Sequence, residues 1–121
     1  MRVVGLDHIV LNVADVRRSL AFYVDTLGLA PERVEEWERE EVFFPSVRID
    51  ATTIIDLIAT EPTGENLNHL CLVVDDDVDE LAASGALEVV DGPGERWGAQ
   101  GIARSLYVRD PDGNVVELRK Y

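Results

Sequence analysis

The chain has 121 residues, 46% of them hydrophobic and 29% charged, enough for one domain with a real core. No apolar run approaches the roughly 18 residues of a membrane span, and no basic stretch leads into a hydrophobic one as in a signal peptide, so no membrane association and a cytoplasmic location are expected. A formal net charge of −13 repels phosphate backbones and argues against nucleic acid as a partner, while Cys71, the single cysteine, rules out an internal disulfide.

Val3–Val13 reads as a buried strand, its apolar residues broken by Asp7, His8 and Asn12. Asp15 is placed to cap a helix in which Val16, Leu20, Tyr23, Val24 and Leu27 recur at helical spacing, and Gly28 supplies the stop. Strands are predicted over residues 33–37 and 41–49, the first at an edge because it is so charged. Residues 52–60, β-branched at most positions, form a stronger one. After a polar link, Pro62-Thr63-Gly64-Glu65, the order repeats. Leu67–Val74 is a strand, Asp77 caps a helix that Gly85 ends, and residues 87–90 make another strand. A glycine-rich loop through Gly92, Gly94, Gly98 and Gly101 carries Trp97 and leads to a strand over 102–109. The turn Asp110-Pro111-Asp112-Gly113 then feeds a last strand of Val115, Val116, Glu117 and Leu118, in which the glutamate is an isolated charge in need of a partner.

Each half is therefore strand, helix and three strands, and the register supports a duplication. His8 and His69 stand 61 positions apart, as do Asp56 and Glu117; Ile54 and Val115, Leu57 and Leu118, and Val47 and Val108 keep the same offset. Matches among Val, Ile and Leu arise easily by chance. The two histidines of the chain falling in register together with two carboxylates do not. The fold expected is α+β, one domain over 1–121 built of two tandem βαβββ modules, about 1–61 and 66–121.

Duplication puts His8 and Asp56 in one module and His69 and Glu117 in the other, each histidine on a first strand and each carboxylate on a last. Taken singly, each histidine reads as a satisfied core residue and each carboxylate as a surface charge. Taken together, two imidazoles and two carboxylates suit a divalent ion, Zn²⁺, Ni²⁺, Co²⁺, Mn²⁺ or Fe²⁺, with water completing the coordination. Strand alternation brings Asn12 to the face of His8, Thr60 to that of Asp56, Cys71 to that of His69 and Arg119 to that of Glu117. These residues, with Trp97 as a lid, are the expected substrate contacts, although Cys71 also reads as a small buried hydrophobe and Trp97 as a packing or rim residue.

Gly5-Leu-Asp-His-Ile-Val-Leu-Asn-Val13, Ser19-Leu-Ala-Phe-Tyr-Val-Asp-Thr-Leu-Gly-Leu29, Asn68-His69 and Leu106-Tyr-Val-Arg-Asp-Pro-Asp-Gly-Asn-Val-Val-Glu-Leu118 resemble the vicinal oxygen chelate superfamily, which holds glyoxalase I, fosfomycin and bleomycin resistance proteins, methylmalonyl-CoA epimerase and extradiol dioxygenases. The resemblance covers essentially the whole chain. It implies curved mixed sheets around a metal site, with His8, Asp56, His69 and Glu117 at the four metal-facing positions. It also implies a small-molecule substrate and, for a chain this short, a homodimer with sites at the interface.

The activity implied first is that of a metal-dependent, glyoxalase-like lyase or isomerase acting on a small oxygen-chelating substrate. The pattern of the bacterial glyoxalase has Glu where Asp56 stands and, four residues after the first histidine, an Arg that grips glutathione where this chain has Asn12. Asp56 is therefore expected either as a fourth ligand or as a general base, with Glu117 sharing the proton chemistry. The second implied activity is an Fe²⁺ dioxygenase of extradiol type. The run from Leu106 to Glu117 matches the end of that signature, with Tyr107 orienting a substrate hydroxyl, but the signature's histidine is missing from residues 98–101. A non-catalytic binding or resistance protein is the third.

Overall fold

The computed structural model of the chain describes residues 1–109 and 113–121, and its elements confirm an α+β protein. Asp110, Pro111 and Asp112 of the expected turn lie outside the described residues. Two compact units emerge, one formed by Met1–His8 with His69–Tyr121, the other by Ile9–Asn68. Strands β1 (Val3–Val13) and β5 (Leu67–Val74) each contribute to both.

In the unit that includes Tyr121, the strands lie in the order β1-β5-β8-β7-β6, with β6 at Glu88–Gly98, β7 at Gly101–Arg109 and β8 at Val115–Lys120. β8 pairs parallel to β5 and antiparallel to β7, and β7 pairs antiparallel to β6. Alternation along β8 sorts its side chains by chemistry. Val116 and Leu118 join Val74, Val78, Leu106 and Val108 in an apolar core, packed on the face covered by helix α3 (Val78–Ala83). Glu117 and Arg119 fall on the opposite face, where both are buried. Complete burial of an aliphatic side chain such as Leu106 contributes about 1.5–3 kcal/mol, so the core half of β8 holds the charged half in place. Helix α3 starts where the sequence predicts, Asp77 Oδ1 accepting from the backbone N–H groups of Asp79 and Glu80 at 2.9 and 3.1 Å.

In the other unit the order is β2-β3-β4-β1, with β2 at Ala30–Glu32, β3 at Ser46–Arg48 and β4 at Ile54–Ala59. Val10, Val16, Val47, Ile54 and Leu57 are its buried apolar residues. Asp15 caps α1 (Val16–Leu20) by accepting from Arg18 N at 3.0 Å, and a π-helical segment, Ala21–Thr26, carries the helix on to Gly28.

Two expectations are corrected here. Residues 33–37 are not a strand. Arg33, at φ 56, opens helix α2 (Val34–Glu38), whose first turn holds Glu35 and Glu36, the charge that a helix N-terminus favours. The glycine-rich stretch that carries Trp97 is not a loop either. It is the second half of β6, irregular between Val89 and Gly94 but paired to β7 through Trp97↔Ile102 and Gly98↔Gly101. The predicted strand 41–49 contracts to β3, and Phe43 before it is 99% exposed.

Candidate metal centre

Neighbouring strands β1 and β5 bring the two histidines together, with His8 Nε2 and His69 Nε2 3.1 Å apart and the rings edge to face. Glu117, flanked in register by Cys71 of β5 and Tyr107 of β7, closes a triangle. Its Oε2 lies 3.0 Å from His8 Nε2 and 3.2 Å from His69 Nε2. That oxygen is buried and accepts no well-aligned hydrogen bond, and the two imidazoles are the groups that face its charge.

The spacing tests whether a metal ion fits. Donor atoms bonded at about 2.1 Å to one ion lie about 3.0 Å apart at a right angle and about 3.4 Å apart at the tetrahedral angle. The observed edges of 3.0, 3.1 and 3.2 Å match one face of an octahedron. Two imidazoles and a carboxylate at this spacing are a donor set that fits a divalent ion. A second grouping among the described residues, Asp7, His8 and Cys71, fits less well, because the oxygens of Asp7 are already taken.

Asp7 is completely buried beside the triangle. Its Oδ1 accepts from His8 Nδ1 at 2.7 Å and from Ala99 N at 2.9 Å, and its Oδ2 accepts from the Tyr121 hydroxyl. Burial opposes its ionisation, but the bonds from His8, Ala99 and Tyr121 outweigh that and hold the carboxyl below the usual range. Burial likewise opposes charge on His8, yet Asp7, Cys71 and Glu117 push the imidazole up to about 12. Glu117 is itself held far below the ordinary glutamate range: burial works against it, and His69 and His8 prevail. In the metal-free protein a proton thus supplies the positive charge that the cluster requires. Burial pushes the Cys71 thiol up to about 12, which keeps it neutral.

The remaining residues singled out from the sequence fall as follows. Tyr107 packs edge to face on His69, its ring centroid 5.3 Å away, and burial together with Glu117 raises its hydroxyl pKa, so it stays a hydrogen-bond donor. Arg119 and Cys71 share the face predicted for them but are fully buried, and the Arg119 guanidinium is occupied by Glu117 and by backbone carbonyls. Trp97 is half-buried on β6. Asp56, Asn12 and Thr60 belong to the other unit. There the Ser46 hydroxyl donates to Asp56 Oδ1 and Arg33 donates to Ser46 Oγ at 3.2 Å. Asn12 donates its backbone N–H to Asn66 O and its side chain to Glu65 O, and Thr60 bonds Val13 O. Asp7, Tyr121 and Ser46 were not anticipated; the only signal was the adjacency of Asp7 to His8.

Among the described residues, the strand order within each unit and a cluster of two histidines and one carboxylate that could hold a metal ion fit the vicinal-oxygen-chelate class. The chain belongs to the Glyoxalase/Bleomycin resistance protein/Dioxygenase superfamily, whose family model matches residues 5–118. It is 32% identical to the virulence protein STM3117 of Salmonella typhimurium over 96% of this chain and 83% of that protein. A probable lactoylglutathione lyase of Vibrio cholerae is 28% identical over 92% of this chain and 86% of its own length. The crystal structure of the Mn(II)-bound glyoxalase from Novosphingobium aromaticivorans shares the fold, with a TM-score of 0.72 at 20% identity over 98% of this chain and 38% of that one.

Proposed function

We propose that the chain is a divalent-metal-dependent, glyoxalase-like lyase or isomerase acting on a small substrate with two neighbouring oxygens. The observation that carries this reading is the triangle of His8 Nε2, His69 Nε2 and Glu117 Oε2, with Oε2 buried and lacking an aligned hydrogen bond. Two relatives bearing the name probable lactoylglutathione lyase, at 28% and 29% identity, favour the same reaction class. His8, His69 and Glu117 would hold the ion. When bound, a divalent ion supplies Lewis acidity, stabilising negative charge that develops on a chelated substrate oxygen.

The chain's own groups do the rest. Tyr107, kept protonated, donates a hydrogen bond to a substrate oxygen beside His69. Asp56 takes the proton from the carbon next to the substrate carbonyl and returns it to the neighbouring carbon, or else serves as a fourth ligand, leaving that transfer to Glu117. The reaction is a proton shift with no net oxidation. Asn12, at the position of the glutathione-gripping Arg, directs the choice toward substrates that need no cationic clamp there. We place the active form as a cytoplasmic homodimer.

A second reading, an Fe²⁺ dioxygenase, is favoured by one observation: the triangle is of the two-histidine, one-carboxylate kind used for O₂ chemistry. One experiment separates the two. Protein loaded in turn with Ni²⁺, Co²⁺, Mn²⁺, Zn²⁺ or anaerobic Fe²⁺ is incubated with small 2-hydroxycarbonyl compounds in D₂O. Ion-dependent deuterium exchange at the carbon next to the carbonyl supports the isomerase; O₂ uptake with Fe²⁺ and a catechol supports the dioxygenase. Failure of every ion to bind leaves a non-catalytic binding protein.

A further inference from the structure

The turn between β6 and β7 touches both of the buried ligands' supports. Ala99 N–H donates to Asp7 Oδ1 at 2.9 Å, the same oxygen that accepts from His8 Nδ1 at 2.7 Å. Gln100 N–H donates to the Tyr121 hydroxyl at 2.9 Å, and that hydroxyl donates to Asp7 Oδ2. From the other side, Arg119 Nη2 donates to Arg96 O at 2.8 Å and Gly101 O at 3.2 Å, and Nη1 donates to Trp97 O and Glu117 Oε1, both at 3.2 Å. The guanidinium also lies over the Tyr121 ring, 4.8 Å from its centre. Gly98 makes room for it: a Cβ there would collide with Arg119 Nη1.

We infer that this turn is a frame that aims the metal ligands, with Asp7, Tyr121 and Arg119 as positioning residues. The inference rests on the reading of His8, His69 and Glu117 as a metal triad. Asp7 is an acceptor at both oxygens, so the proton it receives from His8 sits on Nδ1, and Nε2 is the nitrogen left to face Glu117 and His69. Arg119 occupies Oε1 of Glu117, so Oε2 is the oxygen left to the ion. His8 and Glu117 are thereby each restricted to one donor atom. Tyr121 holds Asp7 square to the turn by bonding the carboxylate and the Gln100 N–H at once.

A competing role is structural, the network serving only to fasten the β6–β7 hairpin. That role predicts lower thermal stability and an unchanged metal site in the molecules that remain folded. Positioning predicts a weaker and altered site.

The test is Co²⁺ titration of the whole chain, followed by the visible absorption of the bound ion, with folding checked by circular dichroism. Outer hydrogen-bond partners of metal ligands are worth about 10–100-fold in affinity. Asp7→Asn and Arg119→Lys are expected to weaken Co²⁺ binding by that factor and to shift the absorption bands. Tyr121→Phe, which removes only a hydroxyl, is expected to weaken it by about fivefold. Arg104→Gln, which breaks the exposed pair between β7 of the same hairpin and Asp79 of α3, serves as the stability control and leaves affinity and bands unchanged. If Asp7→Asn does not fold, Tyr121→Phe carries the test. Folded variants with wild-type affinity and wild-type bands overturn the inference. Wild-type protein that binds no Co²⁺, or binds it as well after His8→Ala, overturns the triad reading and the inference with it.

Discussion

His8 Nε2 and His69 Nε2 face each other across 3.1 Å, although 61 positions of chain separate the two residues. Two neutral imidazoles cannot both direct lone pairs along that line without repulsion, so either a proton or a cation must lie among them. Glu117 Oε2, 3.0 and 3.2 Å from the same nitrogens, adds a negative charge to the requirement. In the proposed metal site a proton and a divalent ion compete for this cluster, and solution conditions shift the balance.

Metal addition is therefore expected to stabilise the fold. At 100 times its dissociation constant, an ion that binds only the folded chain contributes about 2.7 kcal/mol, on the order of 10 °C in Tm for a domain of this size. Melting curves with Co²⁺ or Ni²⁺ and with a chelator measure the difference. His8→Ala and Glu117→Ala should each abolish it, whereas a rise that persists in both variants would place the ion elsewhere.

Proton and metal compete, so pH tests the same site. In the metal-free protein His8 is pushed up to about 12, against 6.5 in the unfolded chain. A raised pKa means that the folded state holds the proton more tightly. The stabilisation is complete below about pH 6.5 and is lost progressively as pH rises toward 12. Chelator-treated protein should thus lose stability from pH 7 to pH 10, and His8→Ala should flatten the trend. Metal affinity should climb over the same interval, by up to about tenfold per pH unit for each proton displaced. Calorimetric titrations in buffers of different ionisation enthalpy count those protons directly.

Much of this was legible in the chain. β1 and β5 begin and end where the apolar runs put them, although in β1 Val3, Val4 and Leu6 are exposed and Asp7 and His8 are buried. The 61-residue offset placed both histidines and Glu117 on the strands that carry them. The sequence carries no such signal for Asp7, for a physical reason. Successive strand residues point to opposite faces, so a carboxylate next to a histidine is not expected to reach its ring, yet here it does, through Nδ1 at 2.7 Å. For Arg119, strand alternation gives the face but not the depth; the paired β6–β7 hairpin covers the guanidinium. The helix at Val34–Glu38 was hidden by its charge, which reads as an edge strand unless the acidic first turn is weighed.

Tyr107 separates chemistry from packing. Its ring rests on His69 at 5.3 Å, a contact that phenylalanine would keep. Tyr107→Phe is expected to retain the ion with affinity unchanged within about threefold, because no ligand atom moves. Turnover should fall by about 10²-fold if the hydroxyl assists the proton shift. Equal turnover in the two proteins would leave Tyr107 a packing aromatic.

The proposed proton transfer turns on Asp56. It is 2% exposed and receives the Ser46 hydroxyl, with Arg33 donating to that hydroxyl at 3.2 Å. Ser46→Ala removes the hydroxyl that donates to the buried Asp56 carboxylate, and a loss of about 0.5–1.5 kcal/mol is expected on denaturant unfolding. For Asp56→Asn the triad of His8, His69 and Glu117 is untouched. The variant is therefore expected to bind the ion with its affinity kept within an order of magnitude, while turnover falls by about 10²–10⁴-fold, as for removal of a general base. Metal content and solvent deuterium exchange measured on one sample resolve the alternatives. Loss of both together would make Asp56 a ligand. Loss of exchange alone makes it the base, and loss of neither would assign the proton transfer to Glu117.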